Sequence, residues 1–261
     1  DYERAVKIKT LGRDINALWK GIRPTLIPTI PKNVTFEIFM EDGNVQNYLK
    51  DPALLPFAYN LKDALPHSIS LIRSLGYLIS GKSMTGKTNA LQMIYRMAAK
   101  KGNVYYIDLT GNMLHLPEYE NACIIRDLDG MYQMCESLIP ILKERNKKKK
   151  SLEEEDYTAE EIFANMADEI PIFILIDGLT EFLEKLQSAT DRYANIRPLL
   201  ENFADKGRLH KLYFIMTLNS DQSSQVLGYR FINLLTKQIE GIHLGGNCIS
   251  QRILNFDRLN Y

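Results

Sequence analysis

Gly81-Lys-Ser-Met-Thr-Gly86-Lys87-Thr88 is the stretch whose residue types and spacing carry chemistry. Glycines at both ends let the backbone curl tightly with no Cβ in the way. The N–H groups of such a loop, and the positive end of a helix that follows it, face an anion. Lys87 adds a mobile point charge suited to β- and γ-phosphates, and the Thr88 hydroxyl is placed to ligate Mg²⁺. The pattern is that of a P-loop, and it predicts contacts to the phosphate chain of ATP from Gly81, Lys82, Ser83, Met84, Thr85, Gly86, Lys87, Thr88 and Asn89. The bland alternative is a Gly-rich turn beside a solvated lysine. Against it stand the apolar run Tyr77–Ser80 before the loop and the helical pattern Asn89–Lys100 after it.

A P-loop requires a carboxylate for Mg²⁺, delivered at the end of a neighbouring buried strand. Ile172-Phe-Ile-Leu-Ile176 followed by Asp177 has that form, and Asp177 joins Thr88 as an expected metal ligand and catalytic residue. Its alternative role is a strand-terminal cap. Residue 178, where many ATPases carry a glutamate that orients and deprotonates water, is glycine. The general-base contribution, about 10²–10⁴-fold, would then be missing, and the site reads as built to bind ATP and ill equipped to hydrolyse it. Glu181 is near in sequence but points elsewhere unless the loop bends back. Thr217-Leu-Asn219 ends a second apolar strand, and Asn219 is the expected γ-phosphate sensor, with an Asx turn as its alternative role. Arg192, Arg197, Arg208 and Arg230 are candidate fingers toward a neighbouring subunit; His67, His115, His210 and His243 lack ligand spacing and read as packing or surface residues.

These residues need strands and helices in alternation. Strands are expected at Thr35–Met40, Phe57–Leu61, Ser68–Leu71, Val104–Asp108, Ala122–Ile125, Ile172–Ile176, Leu212–Met216 and Gly241–Leu244. Helices are expected at Glu3–Lys20, Val45–Lys50, Asp129–Glu144, Glu160–Asp168, Leu179–Gln187, Tyr193–Lys206, Val226–Lys237 and Cys248–Phe256. Pro24, Pro28 and Pro31 force an extended connection after the first helix. Such alternation means crossover connections and a mainly parallel α/β sheet. Residues 1–70 read as an N-terminal flanking segment packed on the sheet's edge, and 71–261 as the ATPase core.

At 261 residues the chain can bury a large core. Its 32 basic and 32 acidic residues cancel, so no global field advertises nucleic acid or an anionic membrane. Lys147–Lys150 adjoins Glu153–Asp156 and reads as a solvated connection between helices rather than a nucleic-acid patch. No apolar run reaches bilayer length. Cys123, Cys135 and Cys248 have neither paired nor metal-ligand spacing and read as buried thiols in a reducing compartment. The chain begins at Asp1 without methionine and reads as a piece of something longer.

The order of Gly81–Thr88, Ile172–Asp177, Leu212–Thr217 and Gly241-Ile-His-Leu-Gly-Gly246 resembles that of FtsK/SpoIIIE-type ATPases. With Trp19-Lys-Gly-Ile-Arg-Pro24 and Leu54-Leu-Pro-Phe-Ala-Tyr-Asn60, it resembles most the C-terminal ATPase domain of EssC/EccC, the type VII secretion motor. The resemblance implies a RecA-like core binding ATP and Mg²⁺ in the cytoplasmic part of a membrane-anchored bacterial protein. It further implies other ATPase domains on the same polypeptide, small helical WXG100-type export substrates, a homo-hexamer in the full machine, and no nucleic acid. Gly178 departs from the active members and puts hydrolysis in doubt, which fits a substrate-engaging or regulatory domain. The alternatives are a DNA-translocating motor of the FtsK kind, which calls for basic pore loops and a complete acid pair, a P-loop kinase, and an interaction module with a vestigial P-loop.

Overall fold

The computed structural model describes residues 2–21, 29–111 and 116–256. Pro24, Pro28 and His115 lie outside the described residues. Helix α1 (Tyr2–Leu18) forms where its apolar stripe predicts, yet none of its residues is buried, and Val6, Ile8, Leu11, Ile15 and Leu18 all face outward.

Thr35–Met40 is not a strand. Phe36–Glu41 forms helix α2, because the Thr35 hydroxyl accepts the Ile38 N–H at 3.3 Å as an N-cap, and Phe36, Phe39 and Met40 share one face at helical spacing. Asp42 closes α2 and caps α3 (Gly43–Lys50) through the Asn44 N–H at 2.8 Å. β1 (Leu54–Tyr59) and β2 (Pro66–Ser70) pair antiparallel as a separate two-stranded sheet.

The main sheet is all parallel. Its strands are β3 (Gly76–Gly81), β4 (Asn103–Asp108), β5 (Ala122–Ile125), β6 (Ile172–Asp177), β7 (Leu212–Asn219) and β8 (Ile239–Leu244), in spatial order β5-β4-β6-β7-β3-β8. This is the RecA-like P-loop ATPase fold. Between the strands run α4 (Lys87–Ala99), α5 (Leu128–Glu154), α6 (Ala159–Asn165), α7 (Leu179–Gln187), α8 (Ile196–Lys206), α9 (Ser223–Val226) and α10 (Arg230–Leu235).

Alternate strand residues feed two cores. Leu78, Ile174, Ile176, Phe214 and Met216 meet Leu138 of α5, Phe182 of α7, Leu200 of α8 and Phe231 of α10. Tyr77, Ile79, Phe173, Leu175, Tyr213 and Ile215 meet Leu91 and Ile94 of α4, with Phe39, Leu55 and Phe57 of the N-terminal elements adding to that layer. Covering both faces is what lets Ile172–Ile176 be apolar without alternation. Every side chain of the Ile172–Ile176 run is at most 1% exposed, and each contributes about 1.5–3 kcal/mol by leaving water.

Four further expectations are corrected. Helix α5 runs ten residues beyond Glu144, to Glu154, so Lys147–Lys150 lies within it rather than in a connection; Lys149 pairs with Glu153 one turn on. Val226–Lys237 is not one helix, because Leu227–Tyr229, around Gly228, separate α9 from α10. Cys248–Phe256 holds only a 3₁₀ turn at Cys248–Ser250. Beyond it the Gln251 side-chain oxygen accepts the N–H groups of Ile253 and Leu254 at 2.9 and 2.7 Å, competing with helical bonding. Of the cysteines only Cys135 is buried; Cys123 is exposed and Cys248 half-buried.

Candidate nucleotide site

The chain passes from β3 through α4 to β4, crossing over β7 and β6, so the carboxyl ends of four adjacent parallel strands surround the mouth of the P-loop. Open α/β sheets place ligands at such a reversal of strand order. Gly81 ends β3 with φ 158°, and a Cβ there would lie 2.5 Å from the Leu244 carbonyl and 2.6 Å from Thr85 Oγ1. Only glycine permits β8 and the loop to approach this closely. Gly86, at φ 93°, is the left-handed N-cap from which α4 starts at Lys87. The first-turn N–H groups of such a helix have no partner inside it and point into the loop.

Within the loop, Thr85 Oγ1 and Lys87 Nζ both donate to the Lys82 carbonyl, at 2.9 and 2.6 Å. Partial burial lowers the Lys87 pKa, against the pull of Asp177 and Asp221 that favours its charge. Lys82, Ser83, Met84 and Asn89 are exposed, and Met84 takes a left-handed φ of 63°.

Asp177 is buried at the end of β6 and sits among donors. Thr217 Oγ1 donates to its Oδ1 at 2.7 Å, Thr88 Oγ1 to the same oxygen at 3.3 Å, and Tyr106 OH to Oδ2 at 3.4 Å. Burial pushes the Asp177 carboxyl above its ordinary pKa; the Thr217 and Thr88 bonds oppose this, and the charge of Asp108 adds to it. Asp108 is opposite Asp177 in the β4–β6 register and is itself 1% exposed. Its Oδ1 accepts from the Thr110 N–H, the Thr110 hydroxyl and the Gly111 N–H.

Thr88 and Asp177, expected from sequence as one site, are thus in contact. Asn219 stands opposite Gly81 in the β7–β3 register, and its Oδ1 accepts the Asp221 N–H at 3.2 Å as a cap, the Asx geometry weighed as its alternative role. The β7 residue that reaches Asp177 is Thr217, whose hydroxyl also accepts the Gly178 N–H at 2.8 Å. Sequence reasoning missed Asp108 and Tyr106, although Asp108 repeats the signal that marked Asp177, an acid closing an apolar strand. Among the finger candidates, Arg192 pairs with Asp129 and stacks on Tyr193, while Arg197 and Arg230 both pair with Glu201. The Arg208 side chain lies outside the described residues. His210 is buried, and Nδ1 of His243 lies 2.8 Å from Ser80 Oγ.

No protein-family model matches the sequence, and neither does any curated protein. Solved structures do. The cytoplasmic domain of EssC matches at a TM-score of 0.73 with 14% identity, over 97% of this chain and 47% of that one. EssC ATPases 2 and 3 from Geobacillus thermodenitrificans match at 0.66 with 17% identity, over 100% of this chain and 46% of that one. Thermomonospora curvata EccC, ATPases 2 and 3 with a signal sequence peptide, matches at 0.60 with 16% identity, over 94% and 42%. The chain spans less than half the length of each of these structures. What identities this low establish is the fold, and the chain has the fold of the EssC and EccC cytoplasmic ATPase domains.

Proposed function

We propose that this chain is an Mg·ATP-binding domain of a type VII-like protein secretion motor, slow in hydrolysis and acting in substrate engagement or regulation. The observation that carries the reading is the contact between Thr88 and Asp177 beneath the P-loop. A hydroxyl and a carboxylate oxygen 3.3 Å apart match the roughly 3 Å edge of an octahedron with metal–oxygen bonds of about 2.0–2.1 Å, and both are the hard oxygen donors Mg²⁺ prefers. Bound there, Mg²⁺ would neutralise charge on the β- and γ-phosphates.

The chain's own residues do the rest. The α4 N-terminus and the loop from Gly81 to Gly86 would cradle the phosphates, with Lys87 turning from the Lys82 carbonyl to the γ-phosphate. Thr217 and Tyr106 hold Asp177 in one orientation, which spares that reorganisation on binding. Glycine at position 178 supplies no acid of its own, so a base has to reach in from another residue, and turnover is slowed by that longer reach.

The link to secretion rests on the fold shared with EssC and EccC; one EccC structure carries a signal sequence peptide, which supports export substrates as partners here. Membrane anchorage and further ATPase domains would then belong to the rest of the polypeptide; among the described residues no helix is long and apolar enough to cross a membrane. Balanced charge gives the DNA-motor reading no comparable support.

The test is calorimetric titration with Mg·ATP beside a steady-state hydrolysis assay, with Lys87→Ala as control. Micromolar affinity that falls at least tenfold in Lys87→Ala, with turnover well below one per second, is the expected result; active enzymes have a median near 10 s⁻¹. Absence of binding to the wild-type chain would overturn the nucleotide reading.

A further inference from the structure

Gly178 leaves a space, and a carboxylate lies against it. With φ 83° and ψ 74°, Gly178 is the N-cap of α7, which puts Glu181 at the third helical position. A Cβ built on Gly178 would lie 2.9 Å from Glu181 Oε2 and 3.6 Å from its Cδ. The Glu181 carboxylate therefore occupies the volume into which a side chain on residue 178 would grow. Thr110 Cγ2 lies 3.5 Å from the same point.

A glutamate at this helix position ordinarily folds back to hydrogen-bond the N-cap N–H. Here that N–H donates to Thr217 Oγ1, and among the described residues Glu181 has no hydrogen-bond or ion-pair partner. The neighbouring acids are committed: Asp177 to Thr217, Thr88 and Tyr106, and Asp108 to Thr110 and Gly111. Glu181 is exposed, so solvent reaches it.

We propose that Glu181 is the catalytic base of this site, reaching back from the first turn of α7 to replace the acid that residue 178 lacks. The proposal rests on the nucleotide reading above. A water held by the Glu181 carboxylate gives it a proton while the water oxygen forms a bond to the γ-phosphorus. The bond from that phosphorus to the β,γ-bridging oxygen breaks, its electron pair leaving with ADP. The proton then passes from Glu181 to solvent, and the net products are ADP, inorganic phosphate and one proton.

The experiment compares wild type with Glu181→Gln, which keeps size and shape, and Glu181→Asp, which shortens the reach by one methylene. Steady-state ATP hydrolysis gives kcat and KM, and calorimetry with Mg·ADP reports nucleotide affinity independently. Expected is a fall in kcat of about 100-fold or more in Glu181→Gln, the size of a general-base contribution, with Mg·ADP affinity changed less than twofold. Glu181→Asp should fall between. Equal kcat in wild type and Glu181→Gln overturns the proposal. So does wild-type turnover no higher than that of Lys87→Ala while Mg·ADP still binds, a result that leaves the binding reading standing. Loss of nucleotide binding by the wild-type chain overturns both.

Discussion

Thr217→Val removes one hydroxyl and keeps the side chain's shape, at a point where that hydroxyl has two duties. It donates to Asp177 Oδ1 at 2.7 Å and accepts the Gly178 N–H at 2.8 Å, and Thr217 is only 2% exposed. A hydrogen bond to a charged group contributes about 1.5–3 kcal/mol, and an unpaired buried amide costs about 1–3 kcal/mol. Two facts hold the sum down. Asp177 keeps its bonds from Thr88 and Tyr106, and Gly178 is half-buried, so its amide regains some water. The expected loss is about 2–4 kcal/mol, a large share of the 5–15 kcal/mol typical of a folded chain. Urea unfolding without nucleotide should show a lower midpoint at constant slope. Thr217→Ser, which keeps the hydroxyl, should lose only about 1 kcal/mol from its missing methyl. A loss below about 0.5 kcal/mol in Thr217→Val, or equal losses in Val and Ser, would refute the assignment of Thr217 as the link between β7 and the Asp177 carboxylate.

Arg145 and His210 supply two more. Arg145 is 4% exposed and donates to Glu169 at 3.1 Å, to the His210 carbonyl at 2.8 Å and to the Ile170 carbonyl at 2.6 Å. Lysine retains the charge but cannot reproduce a planar fork to three acceptors, so Arg145→Lys should cost about 2–3 kcal/mol by urea midpoint; no change would refute it. Burial, reinforced by the charges of Lys206, Lys149 and Arg145 and opposed by a bond to the Lys206 carbonyl, lowers the His210 pKa to about 4. The folded-state value lies below the ordinary one near 6.5, so the unfolded chain takes up the proton first. Stability should be full above pH 6.5 and drain as pH falls toward 4, by up to about 3 kcal/mol. That slope should flatten in His210→Gln, and an unchanged pH profile would refute the assignment.

The parts of this molecule legible in sequence are those where burial and backbone constraint act over several consecutive residues. Ile172–Ile176 and Leu212–Met216 read as central strands because two covered faces leave no room for polar residues, and both are central strands. The P-loop was legible because Gly81 and Gly86 serve backbone geometry that other residues would strain. Thr35–Met40 reads as a strand because six residues of alternating character fit either period, and it folds as a helix with the Thr35 cap and the shared apolar face of Phe36, Phe39 and Met40. Lys147–Lys150 reads as a solvated link for a related reason, since a run of like charges carries no helical signal of its own, whereas in the structure the Lys149–Glu153 pair and the Arg145 anchor belong to a continuing helix. The site divides in the same way. Asp177 announces itself by ending an apolar strand, whereas Thr217, Tyr106 and Glu181 depend on how three other elements meet that strand end. Neighbouring strands put Thr217 and Tyr106 beside Asp177, and a left-handed glycine turns Glu181 back over residue 178. No local pattern encodes that meeting. The same glycine that reads in sequence as a missing acid is, in space, the residue that makes room for one.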